Sequence, residues 1–151
     1  MSHSENCIFC KIAAGGIPSR KVYEDEELFA FDDIHPWAPV HFLLIPKAHI
    51  ASMAQVGPEH AALLGRMLVL APQLAMQQGC QPYPEGGFRI VVNTGALGGQ
   101  EVHHLHFHVL GGPRPWLKDR PGEALRGNPW VPQDTNLQVN GCTLHIGSAG
   151  L

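Results

Sequence analysis

Between Val102 and Gly112 the chain reads V-H-H-L-H-F-H-V-L-G-G, and no other stretch limits the fold as strongly. From His104 to Val109, imidazoles alternate with apolar side chains. Period two marks an extended strand, whose successive side chains leave opposite faces. His104, His106 and His108 therefore share one face, while Leu105, Phe107 and Val109 point together into a core. The pattern predicts a sheet with one packed face and one face carrying chemistry. Shared-face neighbours rise roughly 6.5–7 Å along a strand, too far for contact at every step but suited to different atoms of one phosphate-sized ligand.

Imidazole titrates at about 6.5, so it serves as base, acid or nucleophile at neutral pH. A nucleophilic imidazole needs one bare nitrogen and an acceptor, such as a backbone carbonyl, holding the other. The segment N-T-G-A-L-G-G-Q, just upstream, lets backbone N–H groups approach an anion closely. Spacing alone remains compatible with catalysis, with a metal-binding tract, and with a histidine-rich surface.

The rest of the chain sorts into short elements. Asn6 is placed to cap a helix through C-I-F-C-K-I-A-A, stopped by Gly15-Gly16, with Cys7 and Cys10 one turn apart on one face. K-V-Y-E-D and L-F-A-F-D-D-I predict two antiparallel strands joined by an acidic turn. Phe29, Phe31 and Asp33 share one face of the second, Leu28, Ala30 and Asp32 the other. H-F-L-L-I-P-K predicts a further strand. Ala61, Leu64, Met67, Leu68, Ala71, Leu74 and Ala75 keep the spacing of one helical face between Pro58 and about Gln78, with a kink or break at Pro72. F-R-I-V-V-N-T-G is another strand. From Pro113 the chain turns rich in Pro, Gly and Trp; L-Q-V-N-G-C-T-L-H-I then carries a hairpin signal at Asn140-Gly141, with a loosely attached tail as the alternative.

At 151 residues, 44% hydrophobic and 15% charged, the chain suits one globular domain. A net charge of −3 gives no reason to expect a nucleic-acid or membrane surface. The opening M-S-H-S-E-N has neither a basic n-region nor an apolar h-region, and a cytoplasmic location is expected. In that compartment the C-x-x-C pair suggests metal or redox chemistry before a disulfide, while Cys80 and Cys142 read as small hydrophobes.

H-L-H-F-H-V-L resembles the motif of the histidine triad family, His-φ-His-φ-His-φ-φ with φ apolar. I-F-C-K-I, F-D-D-I, H-P-W-A-P-V-H-F-L-L-I-P-K-A-H-I and V-V-N-T-G are similar to family segments in the family's order, and H-V-L-G-G resembles the Hint branch of nucleoside phosphoramidases. The resemblance implies an α+β fold, a five-stranded antiparallel sheet with one long and one short helix, usually dimerising with a second copy. It places the family domain at residues 1–112 and leaves 113–151 as an extension packing on the domain or dimer, with Trp116 as a possible cover for the site.

The resemblance also assigns roles. His106 would attack the α-phosphorus of a purine nucleoside 5′-phosphoramidate, forming a nucleotidyl-histidine that water resolves. His108 would hydrogen-bond the phosphate, and His104 and His49 complete the catalytic cluster. Asn93 and Gln100 match phosphate- and leaving-group-side positions, Asp33 the ribose-binding acid, and Ile8, Phe9, Phe31 and Ile34 the purine walls. Read without the family, Asp33 is more readily a solvated acid at a strand end. Glu101 stands where many relatives carry serine, which favours cationic leaving amines and disfavours polyphosphate. His103 replaces a common aromatic and is expected to be structural.

Some branches of the family hold zinc with the residues that match Cys7, Cys10, His49 and His104. Two thiolates and two imidazoles would close a tetrahedral, structural site that leaves no position for substrate, so catalysis needs no cofactor. The alternative is a pair of buried helix cysteines. Two other functions are compatible with the sequence: a Fhit-like dinucleoside polyphosphate hydrolase, and a non-enzymatic nucleotide- or zinc-binding interaction protein.

Overall fold

The computed structural model describes residues 4–112, together with the backbone of 135–139 and 142–146. Two compact units divide the chain, residues 1–113 and 114–151. In the first unit the order is α1 (Ile8–Ala13), β1 (Lys21–Glu24), β2 (Leu28–Asp32), β3 (Val40–Pro46), α2 (Ala61–Gln77), β4 (Phe88–Val91) and β5 (Phe107–Gly111). The strands form one antiparallel sheet in the order β1-β2-β3-β5-β4, the expected α+β arrangement of five strands with one long and one short helix. The second unit contributes β6 (Thr135–Val139) paired with β7 (Cys142–Ile146), the hairpin signalled by the sequence. Its Asn140-Gly141 turn and Trp116 lie outside the described residues. Among the described residues no helix is long and apolar enough to cross a membrane.

Alternation along the strands sorts side chains into two cores. Leu28, Ala30, Phe42, Leu44, Leu105, Phe107 and Val109 pack on one face with Met67, Ala71, Leu74 and Ala75 of α2. Phe29, Phe31, Leu43 and Ile45 pack on the other with Cys7, Phe9, Cys10 and Ile12. Central strand β3 is buried along nearly its whole length because both faces are covered.

Three expectations change. Cys7, not Asn6, caps α1, because its thiol accepts the Cys10 backbone N–H at 3.4 Å. Helix α2 continues through Pro72 without a break. The proline removes the bond to the carbonyl of Leu68, a residue that is 51% exposed. Leu68 and Ala61 thus leave the buried face, which runs through Met67, Ala71, Leu74 and Ala75. Finally, residues 101–106 are not a regular strand, and β5 begins only at Phe107. The Leu105 N–H bonds instead to the Ile50 carbonyl at 2.6 Å, and the two-sided alternation survives.

The β1–β2 turn is tied to α2 through Asp25. Burial acts to raise its pKa, but hydrogen bonds from Glu27 N, Leu28 N, Tyr23 and Arg66 outweigh it and hold the carboxyl at about 2. Arg66, on α2, reaches Asp25 at 2.6 Å and Glu27 at 2.7 Å.

Candidate active site

The three alternating histidines fall on the face shared with α1, and all are buried: His104 completely, His106 and His108 with 6% and 8% exposed. Their protonation follows from their partners. His106 Nδ1 lies 2.6 Å from the His104 carbonyl oxygen, which can only accept, so Nδ1 carries the hydrogen and Nε2 keeps its lone pair. A nucleophilic imidazole needs that tautomer. Phe9 stands edge-on to the ring at 5.1 Å and 90°, fixing its plane.

His108 is set by a residue that the sequence did not single out. The backbone N–H of Trp37 donates to His41 Nδ1 at 3.0 Å, which leaves the His41 hydrogen on Nε2. His41 Nε2 then donates to His108 Nδ1 at 3.0 Å, so the neutral His108 ring carries its own hydrogen on Nε2, ready for a phosphoryl oxygen. Asp33 Oδ2 lies 3.5 Å from His41 Nε2. Burial lowers the His41 pKa against the pull of Asp33, and burial likewise lowers His106. Burial, with the neighbouring rings of His106 and His41, pushes His108 down to about 4. One signal in the sequence pointed to His41: it is the only imidazole in an otherwise apolar run, on the Leu43 and Ile45 side of β3.

The expected purine walls divide. Phe9 and Phe31 are buried and meet edge to face at 5.4 Å, whereas Ile8 and Ile34 are exposed. Asp33 receives the His35 N–H at 2.8 Å through Oδ1. Asn93, after β4, is half-buried; Glu101 is exposed, yet its charge is felt at His106. His103 is exposed, apart from the buried imidazoles. Gln100, expected on the phosphate and leaving-group side, is buried. Its amide donates to the Ala51 and Val102 carbonyls at 2.7 and 3.0 Å and accepts from Gly95 N at 3.0 Å. With both donors engaged, Gln100 holds the glycine loop. Within that loop a Cβ on Gly98 would overlap the Thr94 carbonyl.

Among the described residues two side-chain groups have metal-ligand character, and tautomers separate them. Cys7, Cys10, His49 and His104 present donor atoms within 4.8 Å of one another. Cys7 Sγ and Cys10 Sγ lie 3.3 and 3.5 Å from His104 Nδ1, Cys10 Sγ lies 3.5 Å from His49 Nδ1, and the two Nδ1 atoms are 3.2 Å apart. Ligands at zinc bond lengths in a tetrahedron stand about 3.3–3.8 Å apart. His104 Nε2 donates to the Pro46 carbonyl at 2.7 Å, which turns the bare Nδ1 toward the thiols, as outer partners of metal-binding histidines do. These residues fit zinc. Asp33, His41 and His108 are also grouped, but there the lone pair of His41 faces the Trp37 N–H and its Nε2 carries hydrogen. That second group is arranged to hold a proton.

Comparison with known proteins gives a consistent relationship. A family model described as the scavenger mRNA decapping enzyme C-terminal binding region matches residues 6–120. The chain is 52% identical over 109 residues to Protein HitA of Neisseria gonorrhoeae, covering 72% of this chain and 98% of that protein. It is 46% identical over 109 residues to the purine nucleoside phosphoramidase of Escherichia coli strain K12, covering 72% and 89%. Among solved structures, a HIT family hydrolase from Legionella pneumophila superposes with a TM-score of 0.68 at 47% identity, covering 72% and 95%. A histidine triad protein from Clostridium difficile gives 0.70 at 40% identity, covering 79% and 99%.

Proposed function

The chain belongs to the histidine triad family of hydrolases, and on that footing we propose that it is a purine nucleoside phosphoramidase. The observation that carries this reading is the pair of defined tautomers, a bare Nε2 on His106 and an Nε2–H on His108. His106 attacks the α-phosphorus of a nucleoside 5′-phosphoramidate. A P–Nε2 bond forms, the P–N bond breaks, and the amine departs with a proton drawn from the solvent-facing mouth. Water then attacks phosphorus, releases the nucleoside monophosphate, returns that proton and restores His106. His108 donates to a phosphoryl oxygen as charge builds there, with a hydrogen bond that strengthens toward the transition state. Asp33 accepts from the ribose hydroxyls, and Ile8, Phe9, Phe31 and Ile34 flank the purine.

Zinc is assigned to Cys7, Cys10, His49 and His104, where it would supply a structural crosslink. His104 and His49 then support the reaction indirectly, His104 by holding His106 through its carbonyl. Removing His106 is the direct test. His106→Gly lowers phosphoramidase turnover by roughly a thousandfold or more and leaves AMP affinity largely intact. Full activity in that variant would disprove the mechanism. Turnover of AMP-lysine against diadenosine triphosphate separates the reading from a polyphosphate hydrolase. The carboxylate of Glu101 near His106 favours the amine.

A further inference from the structure

The imidazole of His41 has one hydrogen and two acceptors competing for it. Its Nδ1 lone pair receives the Trp37 backbone N–H at 3.0 Å, so the hydrogen sits on Nε2. There it meets His108 Nδ1 at 3.0 Å and Asp33 Oδ2 at 3.5 Å. The backbone fixes this arrangement, because Asp33 N donates to the His41 carbonyl at 3.0 Å and joins the two residues side by side. Trp37 stacks on His108, with 9° between planes and 5.6 Å between centroids, so one loop holds all three groups. The His41 side chain is wholly buried, whereas that of Asp33 is 19% exposed. Asp33 Oδ1 is engaged by the His35 N–H, while Oδ2 has His41 as its polar neighbour among the described residues. One carboxylate thus connects the surface of the site to the buried pair of rings.

An ionised oxygen draws a shared hydrogen more strongly than a neutral ring nitrogen, so Asp33 weakens the bond that His41 makes to His108. Resting on the phosphoramidase reading, we propose that the ribose hydroxyls act on the rate as well as on binding: by donating to Asp33 Oδ2 they return the His41 hydrogen to His108. Asp33 is the group read by the sugar, and His41 is the positioning residue that passes its state inward. No proton is transferred; the hydrogen stays on His41 Nε2 and changes only its acceptor. A ring that accepts more strongly at Nδ1 donates more strongly from Nε2, since bonds in a chain polarise one another. That Nε2–H of His108 is the group assigned to the phosphoryl oxygen, where charge builds in the transition state. The site therefore turns over ribonucleoside phosphoramidates faster than their deoxy counterparts, beyond binding them better.

The test compares two phosphoramidates of one amine, the AMP compound and its 2′,3′-dideoxy analogue, on the full chain and on Asp33→Ala. Single-turnover rates at saturating protein separate the chemical step from binding and release. One improved hydrogen bond in the transition state corresponds to roughly three- to tenfold in that rate, and the AMP compound is expected to lead by about that factor. Asp33→Ala removes the competing acceptor. The dideoxy compound should then react faster than it does with the unmodified protein, to within about twofold of the AMP compound, while AMP affinity falls. A carboxylate that only bound the sugar would leave the dideoxy rate where it was. The comparison of the two compounds on the unmodified protein stands whether or not the variant folds. Equal saturated rates there would overturn the proposal and leave the phosphoramidase reading in place, as would a dideoxy rate unmoved in a folded Asp33→Ala protein. If the unmodified protein does not hydrolyse the AMP compound, the phosphoramidase reading fails and takes this proposal with it.

Discussion

A single buried imidazole, His41, decides which nitrogen of His108 bears the hydrogen. Replacing it with alanine leaves that tautomer unset. Turnover of a phosphoramidate should fall by roughly ten- to a hundredfold, while AMP affinity measured by calorimetry stays within about threefold. A second expectation concerns stability against pH. His108 titrates at about 4 in the folded chain against an ordinary 6.5, so the unfolded chain binds protons first. Its contribution is intact above pH 6.5 and is lost progressively as pH falls from there to about 4. Urea unfolding should weaken over that window, and His108→Gln should flatten the slope by at most about 1.4 kcal/mol per pH unit. A residual slope persists, because His41 and His106 are also held low. At this scale the sequence disclosed the triad, since alternation is a local property. It did not disclose that His41 faces His108, which depends on β3 pairing with β5 so that Leu43 sits opposite His108.

Among the elements, α1 is the one whose place depends most on its chemistry. It has six residues, too few to be stable in isolation, and its first cysteine serves as both cap and candidate ligand. Purified without a polyhistidine tag, the protein should contain about one zinc per chain. Cys7→Ser should lose most of that metal and lower Tm by on the order of 5 °C. A stoichiometry near zero with unchanged Tm in the variant would remove zinc from the account. Element types were readable from periodicity, but their ends were not. The sequence suggested Asn6 as the cap, yet burial of the Cys7 thiol decided it. Similarly, a strand from Val102 would have left His104 and His106 on a plain ladder, whereas the chain there bends to bond Ile50.

For the whole molecule, we propose that two copies pair through the outer strand β4 and the exposed Leu68 and Val69 of α2. Sedimentation should give twice the chain mass, and a Leu68→Glu, Val69→Glu double variant should shift it toward the monomer. A dimer unaffected by the double variant would place the contact elsewhere. The division of the sheet into two faces has a broader consequence. Because Leu43 lies opposite His108, residue parity reverses between β3 and β5: odd positions in β2 and β3, but even positions in β5, face the imidazoles. In a saturation library sorted separately for activity and for abundance, neighbouring codons should therefore belong to different phenotypic classes. The face toward α2 is free to drift among apolar alternatives, while the other face records the history of the chemistry.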